Sequence, residues 1–123
     1  MATIPNDALV NNAKLLGGIA GGAPYTDFAV GSGSTAEATT QTTLAAELTD
    51  GGFERATVTA TYVPTGICQW LHEFTATATR TVREMAVFNA DDVMGIRHLL
   101  TSDKVCDPGE TFEGTLKITN ARP

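Results

Sequence analysis

The feature that most constrains the fold is an alternation of apolar residues with threonine, which recurs through the chain after residue 53. Ala56, Val58, Ala60 and Tyr62 alternate with three threonines. A period of two is typical of a strand that buries one face. Similar alternations follow residues 70, 94 and 111, and threonine suits them because its β-branch packs well on a pleated surface. The second half of the chain is therefore predicted to consist of β-strands.

Short turns separate these strands. Pro64-Thr65-Gly66, Asn89-Ala90-Asp91-Asp92 and Asp107-Pro108-Gly109 each interrupt the alternation. The continuous apolar run Met85-Ala86-Val87-Phe88 indicates a buried central strand. Five or six strands joined by short turns, without helices between them, predict a mainly β domain over residues 25–123. An antiparallel β-sandwich or jelly-roll-like fold is expected.

The part of this domain before residue 53 is less regular. Residues 25–30 form a first short strand by their pattern, and residues 31–35 read as a tight turn in which glycines supply positive φ. Residues 43–48 are predicted as a short helix that ends before Asp50-Gly51-Gly52.

Residues 1–24 are predicted to be an N-terminal arm carrying a short helix. Asn6 or Asp7 would cap a helix over residues 8–16, and Gly17-Gly18 would end it. Leu9, Ala13 and Leu16 form one apolar stripe. Because so short a helix is marginal alone, it must dock on its own domain or on a neighbour. The glycine-rich residues 17–24 are expected to be flexible, so deletion of residues 1–24 should spare the β-core.

Charge and hydropathy argue against several classes of function. The net charge of −6, with eight basic residues, argues against nucleic-acid binding, which needs clustered lysines and arginines. No run approaches the ~20 apolar residues of a membrane span, and the N-terminus lacks a secretory signal pattern. Synthesis in a reducing cytoplasm is expected, with Cys68 and Cys106 as free thiols.

No motif predicts catalytic, cofactor-binding or metal-binding residues. The glycines of residues 31–35 lack the spacing of a nucleophile elbow or a dinucleotide fingerprint. His72 and His98 are the only histidines, and both fall in strand patterns without metal-ligand spacing. A carbohydrate-binding sandwich remains an alternative, with Trp70, Tyr62 and Tyr25 as a stacking platform.

The charged residues Arg83 and Glu84 are adjacent within a predicted strand. They must point to opposite faces and cannot pair with each other. Arg97 is the candidate partner for Glu84 across the hairpin that turns at residues 89–92. A structural ion pair is the leading interpretation, and a contact with another subunit is the alternative.

Several segments occur in an order shared with a known class of proteins. The chain carries Phe28-Ala29-Val30-Gly31-Ser32-Gly33-Ser34-Thr35-Ala36, then Thr43-Leu44-Ala45-Ala46-Glu47 and Arg55. Further on it carries Val82-Arg83-Glu84-Met85-Ala86-Val87-Phe88-Asn89-Ala90, then Arg97 and Pro108-Gly109-Glu110-Thr111-Phe112. Over residues 25–120 this order resembles small bacteriophage virion proteins and modules of phage tail-fibre and collar proteins.

The resemblance implies a non-enzymatic virion component. The leading hypothesis is a capsid decoration (cement) protein on the outer capsid surface, made in the host cytoplasm and bridging major capsid subunits. A tail, collar, baseplate or fibre component is the alternative. Other virion subunits are the expected partners, and a homo-oligomer, dimer or trimer, is expected. The candidate partner-contact residues are Leu9, Leu15, Leu16, Tyr25, Arg83, Glu84 and Arg97.

Overall fold

The computed structural model describes residues 2–120, and within them the chain forms one helix and eight strands. In chain order these are β1 (Ala2–Thr3), α1 (Asn6–Gly17), β2 (Tyr25–Gly31), β3 (Ala56–Thr57), β4 (Thr61–Val63), β5 (Ile67–Thr75), β6 (Arg80–Asn89), β7 (Met94–Cys106) and β8 (Thr111–Thr119).

The strands form two antiparallel sheets. The first sheet has the order β1-β7-β6-β2-β3 and the second has the order β4-β5-β8. The predicted mainly β antiparallel sandwich is confirmed. The apolar run at Met85 lies in β6 at the centre of the first sheet, as predicted, because a strand with neighbours on both sides and a covering layer on each face has no exposed surface for polar side chains.

Aromatic side chains fill the core between the sheets. Phe74 of the second sheet lies between two other rings, with centroid distances of 5.9 Å to Phe28 and 5.8 Å to Phe53. Trp70 is buried, and its indole N–H donates a 2.8 Å hydrogen bond to the carbonyl oxygen of Tyr25. This bond satisfies the only polar atom of the indole, so the ring can enter the core at little cost.

The threonine-rich run after residue 53 does not form one strand, which corrects the sequence prediction. β3 pairs with β2 in the first sheet, and β4 pairs with β5 in the second. Tyr62, predicted on the buried face, is 69% exposed. A period of two identifies extended backbone but carries no information on which sheet each part joins.

The helix predicted over residues 43–48 is also absent. This segment belongs to a long loop, residues 32–55, whose backbone pairs with the end of β2. Leu48 N–H donates to the carbonyl of Val30 at 2.8 Å, and Ser32 N–H donates to that of Ala46 at 2.9 Å. Hydrogen bonds to β2 have replaced those that a helical turn would have made internally.

The helix near the N-terminus forms where it is predicted, but its N-cap residue differs from the predicted one. Pro5 occupies the N-cap position, and the backbone N–H of Asn6 donates to Thr39 in the loop at 2.8 Å. The end at Gly17 is confirmed. Gly18 adopts the left-handed conformation (φ 62°) that closes many helices.

Residues 2–24 are packed onto the β-domain. β1 pairs with β7, and Pro5 and Ala8 are fully buried, Ala8 within the core between the sheets. The side-chain amide of Asn11 exchanges two 2.9 Å hydrogen bonds with the backbone of Ala23, which folds the glycine-rich segment back onto α1. The N-terminal residues are therefore docked on the β-domain through β1, Pro5 and Ala8, contrary to the expectation of a separate, flexible arm.

Candidate interaction surface

A buried polar cluster joins the first sheet to the loop of residues 32–55. At its centre the Glu84 carboxylate accepts hydrogen bonds from the backbone N–H groups of Gly33 (2.9 Å), Ala45 (2.9 Å) and Ala46 (2.8 Å). It also forms an ion pair with Arg97 at 2.9 Å. Both side chains are 0% exposed. The predicted ion pair between Glu84 and Arg97 is confirmed as an internal one.

Arg97 uses its remaining donors to hold the same loop. Its Nη2 donates to the carbonyl of Thr35 at 2.9 Å, and its Nη1 donates to the side chain of Gln41 at 3.3 Å. A buried guanidinium is tolerable only when its charge is paired and its N–H groups are satisfied. Glu84 and Arg97 therefore have no surface to offer a partner in this fold, which corrects their assignment as partner contacts.

Gly31 at the end of β2 and Gly33 just after it make room for this carboxylate. Neither Gly31 nor Gly33 has positive φ, so the prediction of a turn that needs it is wrong here. A Cβ atom at Gly33 would lie 2.6 Å from Oε2 of Glu84, and one at Gly31 would lie 2.7 Å from the carbonyl of Ala46. The glycines are required by close approach of side chain and backbone.

Arg55 forms a second clamp on the loop, which the residue patterns did not identify. It pairs with Glu47 at 2.8 Å and with Asp92 at 2.6 Å, and its guanidinium lies 4.0 Å above the centre of the Phe88 ring. The hydrogen bond with Glu47 raises the pKa of Arg55 above its usual range. The only signal was the position of Glu47 and Arg55 in the pattern that carries the resemblance.

The residues of that pattern therefore meet in space. Gly33, Glu84 and Arg97 belong to the buried cluster, and Glu47 and Arg55 belong to the clamp beside it. Their common effect is to fix a loop of more than twenty residues over the outer face of a sheet. The pattern describes contacts that hold this loop against the sheet.

The cluster has no features of an active site. The Glu84 carboxylate accepts from three backbone N–H groups and from Arg97, and it is sealed from solvent, so it cannot reach a substrate. Within residues 2–120, no group of three or more His, Cys, Asp or Glu side chains could hold a metal ion. His72 lies against Phe74 at 4.6 Å in the second sheet, whereas His98 belongs to the first.

The most prominent exposed feature is one side of α1. The helix buries Ala8 and Asn11, and the apolar stripe identified in the sequence faces solvent instead. Leu9 is 57% exposed and Leu16 is 83% exposed, with the exposed Ala13 between them. Of the two docking possibilities for the helix, its own domain is the one used, but through Ala8 and Asn11 and not through this stripe.

An apolar groove of about 340 Å³ runs beside the C-terminal half of α1. It separates the helix from the second sheet and ends near Asn120. Burial raises the pKa of the Cys68 thiol in its wall. The larger side chains lining the groove are Leu15, Leu16, Tyr25, Cys68, Trp70 and Ile118.

The other predicted contact residues are divided between interior and surface. Tyr25 is buried, with its hydroxyl 2.7 Å from Oδ1 of Asn12, so it is no surface contact. Arg83 does not pair with Glu84, as predicted. It lies at an irregularity of β6, donates to the carbonyl of Ser32 at 3.0 Å and pairs with Asp103 at 3.0 Å on a half-exposed surface. Because Tyr25 and Trp70 are buried, they cannot form a sugar-stacking platform with the exposed Tyr62. Leu9, Leu15, Leu16 and Arg83 remain accessible.

No family model, curated protein or solved structure matches the chain. Across residues 2–120 there is no helix of the length and apolar character needed to cross a membrane. Both cysteines are free thiols, with Cys106 fully buried and Cys68 partly so.

Proposed function

We propose that this chain is a non-enzymatic structural protein of a bacteriophage virion. In this proposal it is a capsid decoration protein, bound to the outer surface of the shell, where it bridges neighbouring major capsid subunits. The proposal has two supports of different kinds. The order of several segments along the sequence resembles that in virion proteins, and the fold presents an apolar surface on α1.

The exposed stripe of α1 is the observation that carries the proposal. A single exposed leucine is ordinary, but Leu9 and Leu16 lie one above the other on a helix that uses its opposite side for the core. Covering both by a partner would contribute on the order of 3 kcal/mol from apolar area alone. Apolar surface adjoining a groove is typical of protein–protein contact sites.

The charge of the chain is consistent with a position outside the shell. A net charge of −6 disfavours contact with packaged DNA, because phosphate contacts require clustered basic residues. The four arginines that take part in ion pairs, Arg55, Arg80, Arg83 and Arg97, are engaged by carboxylates of the same chain. They are therefore poorly placed to bind a polyanion.

Electron cryo-microscopy of purified particles of the encoding phage tests the assignment. We expect density for the chain on the capsid, with α1 against a major capsid subunit and hundreds of copies per particle. Density confined to the tail, collar or baseplate, at three to a few dozen copies, would replace the capsid assignment with the tail alternative. Absence of the chain from purified particles would overturn both.

A pair of matched variants tests the role of α1. Leu16→Ser should weaken binding to capsids that lack the chain by about tenfold or more, because most of that side chain is available to a partner. Val105→Ser is the control, since Val105 is also exposed (54%) but lies in β7, far along the chain from α1. Equal binding of the two variants would show that α1 is not the docking surface.

A further inference from the structure

The second sheet ends in a long strand with one unpaired edge. β8 has nine residues and, among residues 2–120, is hydrogen-bonded in the sheet to β5 alone, whereas the other terminal strands, β1, β3 and β4, have only two or three residues. Short terminal strands protect a sheet against further pairing, and a long one invites it. The edge of β8 is thus the place where this sandwich can accept another strand.

The edge of β8 is open to solvent in its middle. A groove of about 360 Å³ separates this part of the strand from the edge of the first sheet. It is lined by Thr115, Leu116 and Lys117 on one side and by Ala2, Met85 and His98 on the other. A strand arriving beside β8 would therefore not have to displace any helix or strand that the structure describes.

The outward side chains of β8 have a self-complementary order. Along the strand they are Thr111, Glu113, Thr115, Lys117 and Thr119, and the residues between them point toward the core. Within the described residues neither Glu113 nor Lys117 forms an ion pair or a side-chain hydrogen bond. Four residues of strand, about 13 Å, keep their charges apart within one chain.

We propose that β8 pairs antiparallel with β8 of a second copy of this chain, about a twofold axis at Thr115. In this register Glu113 lies directly opposite Lys117 of the second copy, and the symmetry repeats that pair. Thr111 lies opposite Thr119 in the same way. The second sheets of the two copies, with three strands each, then form one continuous six-stranded sheet. Neither β8 strand keeps an unpaired edge.

The neighbouring strand gives independent support for this register. Within one chain Glu113 lies directly opposite Glu73 of β5, and Lys117 lies opposite Gln69. Like charges in directly opposed positions destabilise a sheet. Pairing with the second copy places Glu73 and Glu113 of one copy in a row across the sheet with Lys117 and Gln69 of the other. The added lysine compensates the unfavourable carboxylate pair. The occupant inferred is therefore another copy of this chain, since an unrelated strand would need no such charge order.

Charge reversal tests the register directly. Sedimentation equilibrium of the isolated chain at low ionic strength should give twice the monomer mass of 12.9 kDa. Glu113→Lys or Lys117→Glu alone should raise the dissociation constant about tenfold or more, because each change turns two attractive pairs into two repulsive ones. The double variant Glu113→Lys/Lys117→Glu should restore the dimer. Glu54→Lys, at an exposed loop position with the same change in charge, should have no effect.

Zero-length carbodiimide cross-linking supplies a second measurement. In a mixture of ¹⁴N- and ¹⁵N-labelled protein, we expect a mixed-isotope cross-link between Glu113 and Lys117. A chain that stays monomeric at high concentration would overturn the inference. So would a dimer that is indifferent to both single reversals and lacks this cross-link. Because only copies of this chain are involved, either result leaves the virion assignment to be decided separately by microscopy.

Discussion

The carboxylate of Glu84 and the guanidinium of Arg97 form a fully buried ion pair although they are not opposite each other in the sheet. Arg97 lies opposite Ala86, and Glu84 lies opposite Leu99. The side chain of Arg97 therefore reaches diagonally across the face of the sheet to Nη2–Oε1 contact at 2.9 Å. The small side chain of Ala86 leaves room for this path. In this diagonal arrangement the two side chains hydrogen-bond to the loop of residues 32–55 and hold it against the face of the sheet.

Neutralising one partner of this pair should be strongly destabilising. Glu84→Gln leaves the Arg97 charge buried without a counter-ion and replaces one acceptor oxygen by an amide nitrogen, so that either the N–H of Ala45 or those of Gly33 and Ala46 lose their acceptor. We expect the free energy of unfolding in urea to fall by about 3–5 kcal/mol. Asp103→Asn, which breaks the half-exposed pair with Arg83, should cost less than about 1 kcal/mol. Similar losses in the two variants would contradict the importance of burial.

Adding one methyl group at Gly33 should disturb the same cluster. A Cβ atom there would overlap that of Ala45 and lie 2.6 Å from Oε2 of Glu84. Because backbone and a buried carboxylate occupy that space, Gly33→Ala should lower the free energy of unfolding by about 1–3 kcal/mol. Gly17→Ala is the matched control, since its Cβ would meet only the flexible end of Ile19. A thermal melt in which both variants resemble the unchanged protein would refute the steric argument.

Sequence reasoning was most successful where one strand faces a single environment. The run at Met85 indicated a central strand because each of its side chains is buried. The pair of Glu84 with Arg97 was predicted from strand period and hairpin position, although the two residues meet diagonally and not directly opposite each other. Both inferences depend on local geometry, which the spacing of residue types records directly.

Sequence reasoning was least successful where tertiary contacts decide how a segment packs. The alternation around Val58 is continuous, yet its two halves join different sheets. The stripe of Leu9 and Leu16 was correctly identified, but nothing in the spacing showed that Ala8 and Asn11 would be the buried side of α1. A small alanine can approach a sheet more closely than a leucine, and that advantage exists only once the sheet is present. Arg55 was missed for the same reason, because two of its partners, Phe88 and Asp92, come from a distant part of the chain at the end of β6.

Burial of Tyr25 should make the protein less stable in alkaline solution. Desolvation raises the pKa of its phenol above the ordinary value near 10. Below that pH the phenol is neutral in the folded and unfolded states alike, and the full stability is present. As the pH rises further, the unfolded chain loses its proton more readily, so the free energy of unfolding falls. Burial also raises the pKa of both cysteine thiols, which adds a contribution of the same sign.

A variant separates the tyrosine contribution from that of the thiols. Tyr25→Phe removes the hydroxyl contact with Asn12 and should cost about 1 kcal/mol at pH 8. Its deficit relative to the unchanged protein should shrink between pH 9 and pH 11 in urea titrations. Tyr62→Phe, at an exposed site, should retain the original pH dependence. A constant deficit for Tyr25→Phe would mean that the buried phenol does not govern the alkaline loss.

Deleting residues 1–24 should disrupt the β-domain itself. The deletion removes β1 from the edge of β7, takes the fully buried Pro5 and Ala8 out of the structure, and uncovers Tyr25. Loss of a packed helix from so small a core leaves too little buried apolar surface, and we expect broad, uncooperative unfolding and poorly dispersed amide NMR resonances.

Ala8→Asp should have a similar effect within the full chain, because it places an unpaired charge at a fully buried position. Leu16→Ser should change the free energy of unfolding by no more than about 0.5 kcal/mol, since that side of α1 faces solvent. If the shortened chain unfolded as cooperatively as the full one, α1 would be an accessory to the sandwich, and its packing through Ala8 would contribute little to the fold.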